Sequence, residues 1–142
     1  MTIRCMRPDD YEAVYALWSR CSGVGLRSAD DSPQGIGQYL RRNPSTCFVA
    51  ETGGQLTGAI LCGHDGRRGY IYHLAVADAH RRNGIGSALV DHALAALKRE
   101  GIRKAALVAF ADNIPGNLFW EKQGFTLRED LHYRNKNLDI AE

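Results

Sequence analysis

Two arginines and two glycines stand at a spacing suited to holding a diphosphate. Tyr72-His73-Leu74-Ala75-Val76 reads as the end of a strand, Ala77-Asp78-Ala79-His80 as a turn, and Arg81-Arg82-Asn83-Gly84-Ile85-Gly86 as a helix opening. The first N–H groups of a helix lack intrahelical partners and lie at the positive end of its dipole, so helix starts attract anions. Glycine at 84 and 86 leaves those groups uncovered, and Arg81 and Arg82 add charge beside them. The competing reading is that the glycines only let the helix lie close to a sheet. Neither common nucleotide motif is met: Leu89 stands where a third glycine of the dinucleotide fingerprint belongs, and no Gly-Lys-Ser/Thr follows.

His73 is the best-placed titrating side chain. Its ordinary pKa, near neutrality, suits a general base; the plainer alternative is a sheet histidine bonded to a neighbour. Regular alternation places Tyr72 and His73 on opposite faces, so at most one lines any one channel. His132 and Tyr133 are weaker candidates for acid or base. A Cys62–His73 nucleophile pair has no local signature to support it. His64, Asp65, Arg67 and Arg68 make a polar turn, either a solvated hairpin or a grip on an acceptor, while Trp18 and Cys21 read as core.

These residues need a scaffold, and the chain supplies the pattern for one. Ile3 to Met6 alternates as a short strand, and Asp9 or Asp10 can cap the helix marked by Val14, Leu17, Trp18 and Cys21. Residues 22–33 form a long Gly/Ser/Asp-rich loop, and such loops in compact domains are usually functional. A helix over Pro33 to Arg42 follows. Strands are expected at Thr46 to Glu51, Leu56 to Cys62 and Tyr70 to Val76, with turns at Gly53-Gly54 and Gly63 to Gly66. Ile85, Leu89, Val90, Ala93, Leu94 and Leu97 mark one face of a long helix ended by Gly101. Lys104 to Phe110 reads as a buried strand, Asn113 to Gln123 as a helix, and the tail from Phe125 to Leu138 as one or two further strands.

With 142 residues, 44% hydrophobic and 24% charged, the chain is one ordinary globular α/β (α+β) domain spanning residues 1–142. No apolar run approaches the roughly 20 residues needed to span a bilayer. No signal peptide is apparent, so a cytoplasmic location is expected and no membrane partner. Four irregularly spaced cysteines give neither a zinc pattern nor a disulfide framework, so no metal is expected. A net charge of +2 gives no reason to expect nucleic acid as a partner.

Arg81-x-x-Gly84-x-Gly86, preceded by Leu74-Ala75-Val76, resembles the acetyl-coenzyme A motif of the GNAT N-acetyltransferase superfamily. Asn113 to Phe125, N-I-P-G-N-L-F-W-E-K-Q-G-F, is similar to that family's downstream pattern N-x-x-A-x-x-F-Y-E-K-x-G-F. Gly63 to Val76 resembles a branch of small bacterial members. The resemblance implies a mixed, mostly antiparallel central sheet of about six to seven strands flanked by about four helices. It also implies an acetyl-CoA-dependent N-acetyltransferase in which a primary amine of a small molecule, peptide or protein attacks the thioester directly.

By the same resemblance, the cofactor lies where the Tyr70 to Val76 strand and the strand after the long helix splay apart. The backbone of Leu74, Ala75 and Val76 would bond the pantetheine arm and offer an N–H to the thioester oxygen. Arg81, Arg82, Asn83, Gly84, Ile85 and Gly86, with Ser87, would hold the pyrophosphate, and Asn113 would contact the thiol arm. Trp120 occupies the position of the family's tyrosine acid; its indole does not titrate usefully, so it is expected to contact cofactor only. Val108 replaces a glutamate base of the ribosomal-protein acetylating branch. His73 and Tyr133 are therefore the catalytic candidates. The loop from Gly23 to Asp31, with Arg27, Asp30 and Asp31, resembles the family's acceptor-selecting region. Loss of the usual acid and base also leaves room for a non-catalytic acyl-CoA-binding module. Tail strands pairing between two copies would give a homodimer.

Overall fold

Alternation along the strands builds a sheet with two apolar faces. The structure, a computed structural model, describes residues 1–21, 24–26, 29–138 and 140. Its strands are β1 (Thr2–Cys5), β2 (Phe48–Thr52), β3 (Gln55–His64), β4 (Gly69–Val76) and β5 (Ala105–Leu107), in the order β1-β2-β3-β4-β5. The first three pairings are antiparallel and β4–β5 is parallel, as a helical crossover between them requires.

Helices cover both faces. α1 (Tyr11–Arg20) and α2 (Pro33–Arg42) put Val14, Leu17, Trp18, Ile36 and Leu40 against Val49, Ala59, Leu61 and Ala75. On the other face α3 (Ile85–Arg99) packs Ile85, Leu89, Val90, Ala93 and Leu97 on Phe48, Ala50, Ile60, Cys62 and Ile71. α4 (Ile114–Lys122) adds half-buried Phe119 and Trp120 to the same face. The close approach of α3 is made at Gly58, where an added Cβ would lie 2.8 Å from Ile85 Cγ2 and 2.9 Å from Leu89 Cδ1. No helix is long and apolar enough to cross a membrane among the described residues.

Three expectations are corrected. The sheet has five strands among the described residues, not six or seven, because residues 126–138 pair with nothing. Apolar alternation there stops after Leu131 and Tyr133 and gives way to Asn135 and Asn137, a type depleted in strands. β5 covers only Ala105–Leu107 of the expected Lys104 to Phe110, since the chain leaves β4 after Leu107. Asp10 does not cap α1 through its side chain; it accepts from the Arg7 N–H at 2.7 Å and from both terminal nitrogens of Arg4 at 2.8 Å. Arg4 Nε also donates to Glu51 at 2.6 Å, tying β1 to β2 and to the start of α1.

The polar turn after β3 is held by its own hydrogen bonds. Asp65 Oδ1 accepts from the backbone N–H of Arg67 and Arg68, both at 2.8 Å, and His64 Nε2 lies 2.8 Å from Glu100.

Candidate functional site

Pairing between β4 and β5 ends at Ile71↔Leu107. Beyond that point the strands part, and the β5-facing edge of residues 72–76 has no strand neighbour among the described residues. The gap is a cleft of about 530 Å³ between Leu74, Ala75 and Val76 on one side and Val108 and Ala109 on the other. Asn113, Phe119 and Trp120 wall its α4 side, and the start of α3 closes one end. The Asn113 side chain caps α4, its Oδ1 accepting from Gly116 N at 3.1 Å, which leaves its amide NH₂ for a ligand. Trp120 is wedged edge-to-face between Phe119 and Phe125, with ring centroids 5.0 and 5.2 Å away.

The end formed by α3 has the features of an anion site. Among the described residues nothing accepts from the N–H groups of Ile85, Gly86 and Ser87, and no side chain caps the helix. Gly84 has φ 77° and Arg82 has φ 66°, a left-handed conformation that costs a non-glycine residue energy. A Cβ at Gly86 would meet Phe119 at an ordinary 3.4 Å, and one at Gly84 would meet nothing within 4 Å. Close packing therefore does not explain these two glycines; Gly58 does that work. Arg81 and Arg82 are exposed on the rim, Arg81 Nε lying 3.1 Å from Asp78. Ser87 accepts from Gln123 Nε2 at 2.8 Å, leaving its own hydroxyl proton to donate. Asn83 is exposed and, unlike the other residues expected to bind the diphosphate, is not part of the cleft wall.

A second cavity, about 1330 Å³, lies on the α2 side of the sheet and meets the first along Ile71, Tyr72, His73, Val108 and Ala109. A bulge in β4 makes that junction. The β3 register passes from Leu61↔His73 to Cys62↔Ile71 and skips Tyr72. Ile71 faces α3, whereas Ala75, four residues on, faces α1. Tyr72 and His73 consequently both line the second cavity, and the expected opposition of the two does not occur.

His73 is held on two sides. Its Nε2 is 3.0 Å from Asp31 Oδ1, and its ring stands edge-on to Trp18 with centroids 4.8 Å apart. Both partners are buried, Asp31 at 5% and Trp18 at 1% exposure. Asp31 is fixed in turn by Tyr11, whose hydroxyl donates to its backbone carbonyl at 2.6 Å. A carboxylate beside Nε2 favours the tautomer with the proton on that nitrogen, which puts the lone pair on Nδ1. Tyr133 lines the second cavity and not the cleft, so it stands apart from the cofactor-side residues.

Asp30 and Asp31, expected only as part of the acceptor-selecting loop, both line the second cavity, and Arg27 lies outside the described residues. The Asp31–His73 pair, the Gln123–Ser87 bond, and Cys21 and Val24 on the cleft wall are not predicted from the sequence. Only the acidic pair at 30–31 carried a signal of its own. The rest depends on contacts between distant elements.

The profile of the acetyltransferase (GNAT) family matches residues 11–125. An acetyltransferase of Sodalis glossinidius is 34% identical over 138 residues, covering 97% of this chain and 96% of that protein. The fold is similar to that of Ard1 from Thermoplasma volcanium, with TM-score 0.79, 27% identity, and coverage of 89% of this chain and 83% of that one. It is also similar to a PaiA N-acetyltransferase of Thermoplasma acidophilum solved with coenzyme A, at TM-score 0.75 and 19% identity, covering 91% of this chain and 92% of that one.

Proposed function

The chain belongs to the acetyltransferase (GNAT) family, and we propose that it transfers an acetyl group from acetyl-CoA to a primary amine, with His73 as the base. The observation that carries this reading is the junction at His73 of two cavities, one with an anion-binding end and one open to an acceptor. Unpaired N–H groups at the start of α3, beside Arg81 and Arg82 and uncovered at Gly84 and Gly86, fit a pyrophosphate. The unpaired edge of β4 fits an extended pantetheine arm, which would add to it as a strand does. Coenzyme A bound to a protein of the same fold is consistent with both fits.

Acetyl-CoA supplies an acyl group already activated as a thioester. The chain must then align the amine and remove its proton. A lysine-like ammonium titrates near pH 10, so an amine entering at neutral pH needs a base before it can attack. His73, with Nε2–H directed to Asp31, presents Nδ1 as the acceptor of that proton, and the Asp31 carboxylate balances the charge that develops. Backbone N–H groups along Leu74 to Val76 would stabilise the oxyanion, a role typically worth a few kcal/mol. A thiolate leaving group of pKa about 8.5 needs no strong acid, so Trp120 in place of tyrosine does not stop the reaction.

Thiol release from acetyl-CoA, followed with and without a panel of amines, tests the proposal. Amine-dependent release that falls sharply in His73→Ala is expected. Saturable acetyl-CoA binding with no release across the panel would instead make the chain a non-catalytic acyl-CoA module.

A further inference from the structure

We propose that the acceptor carries a second positive charge, distant from the reacting amine, which a tyrosine cluster and Asp30 hold in the second cavity. This rests on the acetyl-transfer reading above and names the class of acceptor for that site.

Tyr39, Tyr70, Tyr72 and Tyr133 all line this cavity, with Phe110. The chain has six tyrosines, so two-thirds of them line this one cavity. Tyr70 and Tyr72 have ring centroids 4.6 Å apart at 46°, and Tyr39 meets Tyr72 edge-on at 5.7 Å and 89°. Rings tilted in this way present π-faces in different directions around a shared space, which is how aromatic side chains surround an organic cation. The bulge matters here too, because it keeps Tyr72 on the side of Tyr70 while bringing His73 round beside them.

Charge points the same way. Among the described residues lining the cavity, Asp30 and Asp31 are carboxylates, and no lysine or arginine joins them. The chain as a whole carries 18 Lys+Arg against 16 Asp+Glu, so this wall runs against the overall balance. Asp31 is bonded to His73, whereas Asp30 is exposed, and its charge acts on the Tyr72 hydroxyl. Burial, followed by the neighbouring Tyr133, pushes the Tyr70 and Tyr72 hydroxyls above the usual phenol value, so both rings stay neutral at physiological pH. A lone amine needs none of this, since its charge must be lost at His73. A second ammonium keeps its charge throughout and gains from aromatic faces with a carboxylate beside them.

The test compares butylamine, putrescine and γ-aminobutyrate as acceptors in acetyl-CoA thiol release, which differ mainly in the group at the far end. Putrescine is expected to show a KM at least about tenfold below butylamine, with γ-aminobutyrate poorest. Asp30→Asn should raise the putrescine KM several-fold and leave the butylamine KM within about twofold, and Tyr72→Leu should raise the putrescine KM several-fold more than it raises the butylamine KM. Equal KM values for putrescine and butylamine, or equal losses for both in the variants, would overturn the proposal and leave acetyl transfer standing. Thiol release with none of a broad amine panel overturns the transferase reading itself.

Discussion

His73 Nε2 and Asp31 Oδ1 lie 3.0 Å apart, although 42 residues separate them in sequence. The contact crosses from a bulged central strand to the turn before α2, and both side chains are almost wholly shielded from solvent, at 10% and 6% exposure. A pair so placed favours the tautomer that carries its proton on Nε2.

Removing the His73 imidazole should depress turnover without weakening acetyl-CoA binding. His73→Ala is expected to lower kcat by about 10²–10⁴-fold, the usual contribution of a general base. Asp31→Asn should cost kcat comparably, because an amide N–H turned toward Nε2 reverses the tautomer. Steady-state kinetics on both variants, with KM for acetyl-CoA unchanged, checks this. A rise in that KM with unchanged kcat would assign the pair a structural role.

Gly86 and Gly58 make opposite predictions. Gly86→Ala introduces a methyl at ordinary contact distance from Phe119, so thermal stability should hold or rise while KM for acetyl-CoA increases about tenfold. Gly58→Ala drives a methyl into Ile85 and Leu89 and should cost about 1–3 kcal/mol of stability in denaturant unfolding.

The cysteines should separate under alkylation of the native protein. Burial pushes the Cys47 and Cys62 thiols up to about 12, and neither is expected to react. Exposed Cys5 should label readily. Cys21, half-buried on the cleft wall with its Sγ 3.7 Å from the Val76 carbonyl, should label slowly and be protected by acetyl-CoA. Mass spectrometry of peptides labelled with and without acetyl-CoA reads all four.

Acid should loosen the first strand. Bonding to the Arg4 guanidinium holds the Asp10 carboxyl below the usual range. A depressed carboxyl stabilises the fold fully above its unfolded value, about 3.9, and loses that contribution as pH falls through the folded value. Unfolding midpoints measured down through pH 4 should fall more steeply for the native protein than for Asp10→Asn, which lacks this titration.

How much of this was legible beforehand follows the range of the interactions. The uncapped start of α3, with two arginines before it, was readable because its parts lie within six residues, Arg81 to Gly86, and helix-start physics is local. α2 matched its expected limits because Pro33 and the Ser32 cap mark its start within the same few residues. The Asp31–His73 pair was not readable, since nothing local links the turn before α2 to β4. The bulge was hidden for a related reason: Tyr70 to Val76 looks like an unbroken apolar and aromatic strand, and its extra residue appears only against the register of β3.

The single unpaired residue at Tyr72 divides one strand between two tasks. Before it, Tyr70 lines only the second cavity; after it, Leu74 to Val76 line only the cleft, with a backbone edge whose bonding does not depend on residue type. A substitution at Tyr70 can thus reshape the second cavity while the cleft stays as it is, whereas one at Tyr72 alters both. Deleting Tyr72 would restore the regular ladder and leave His73 opposite Leu61, so the extra residue adds a side chain to the second cavity without moving the histidine off that face.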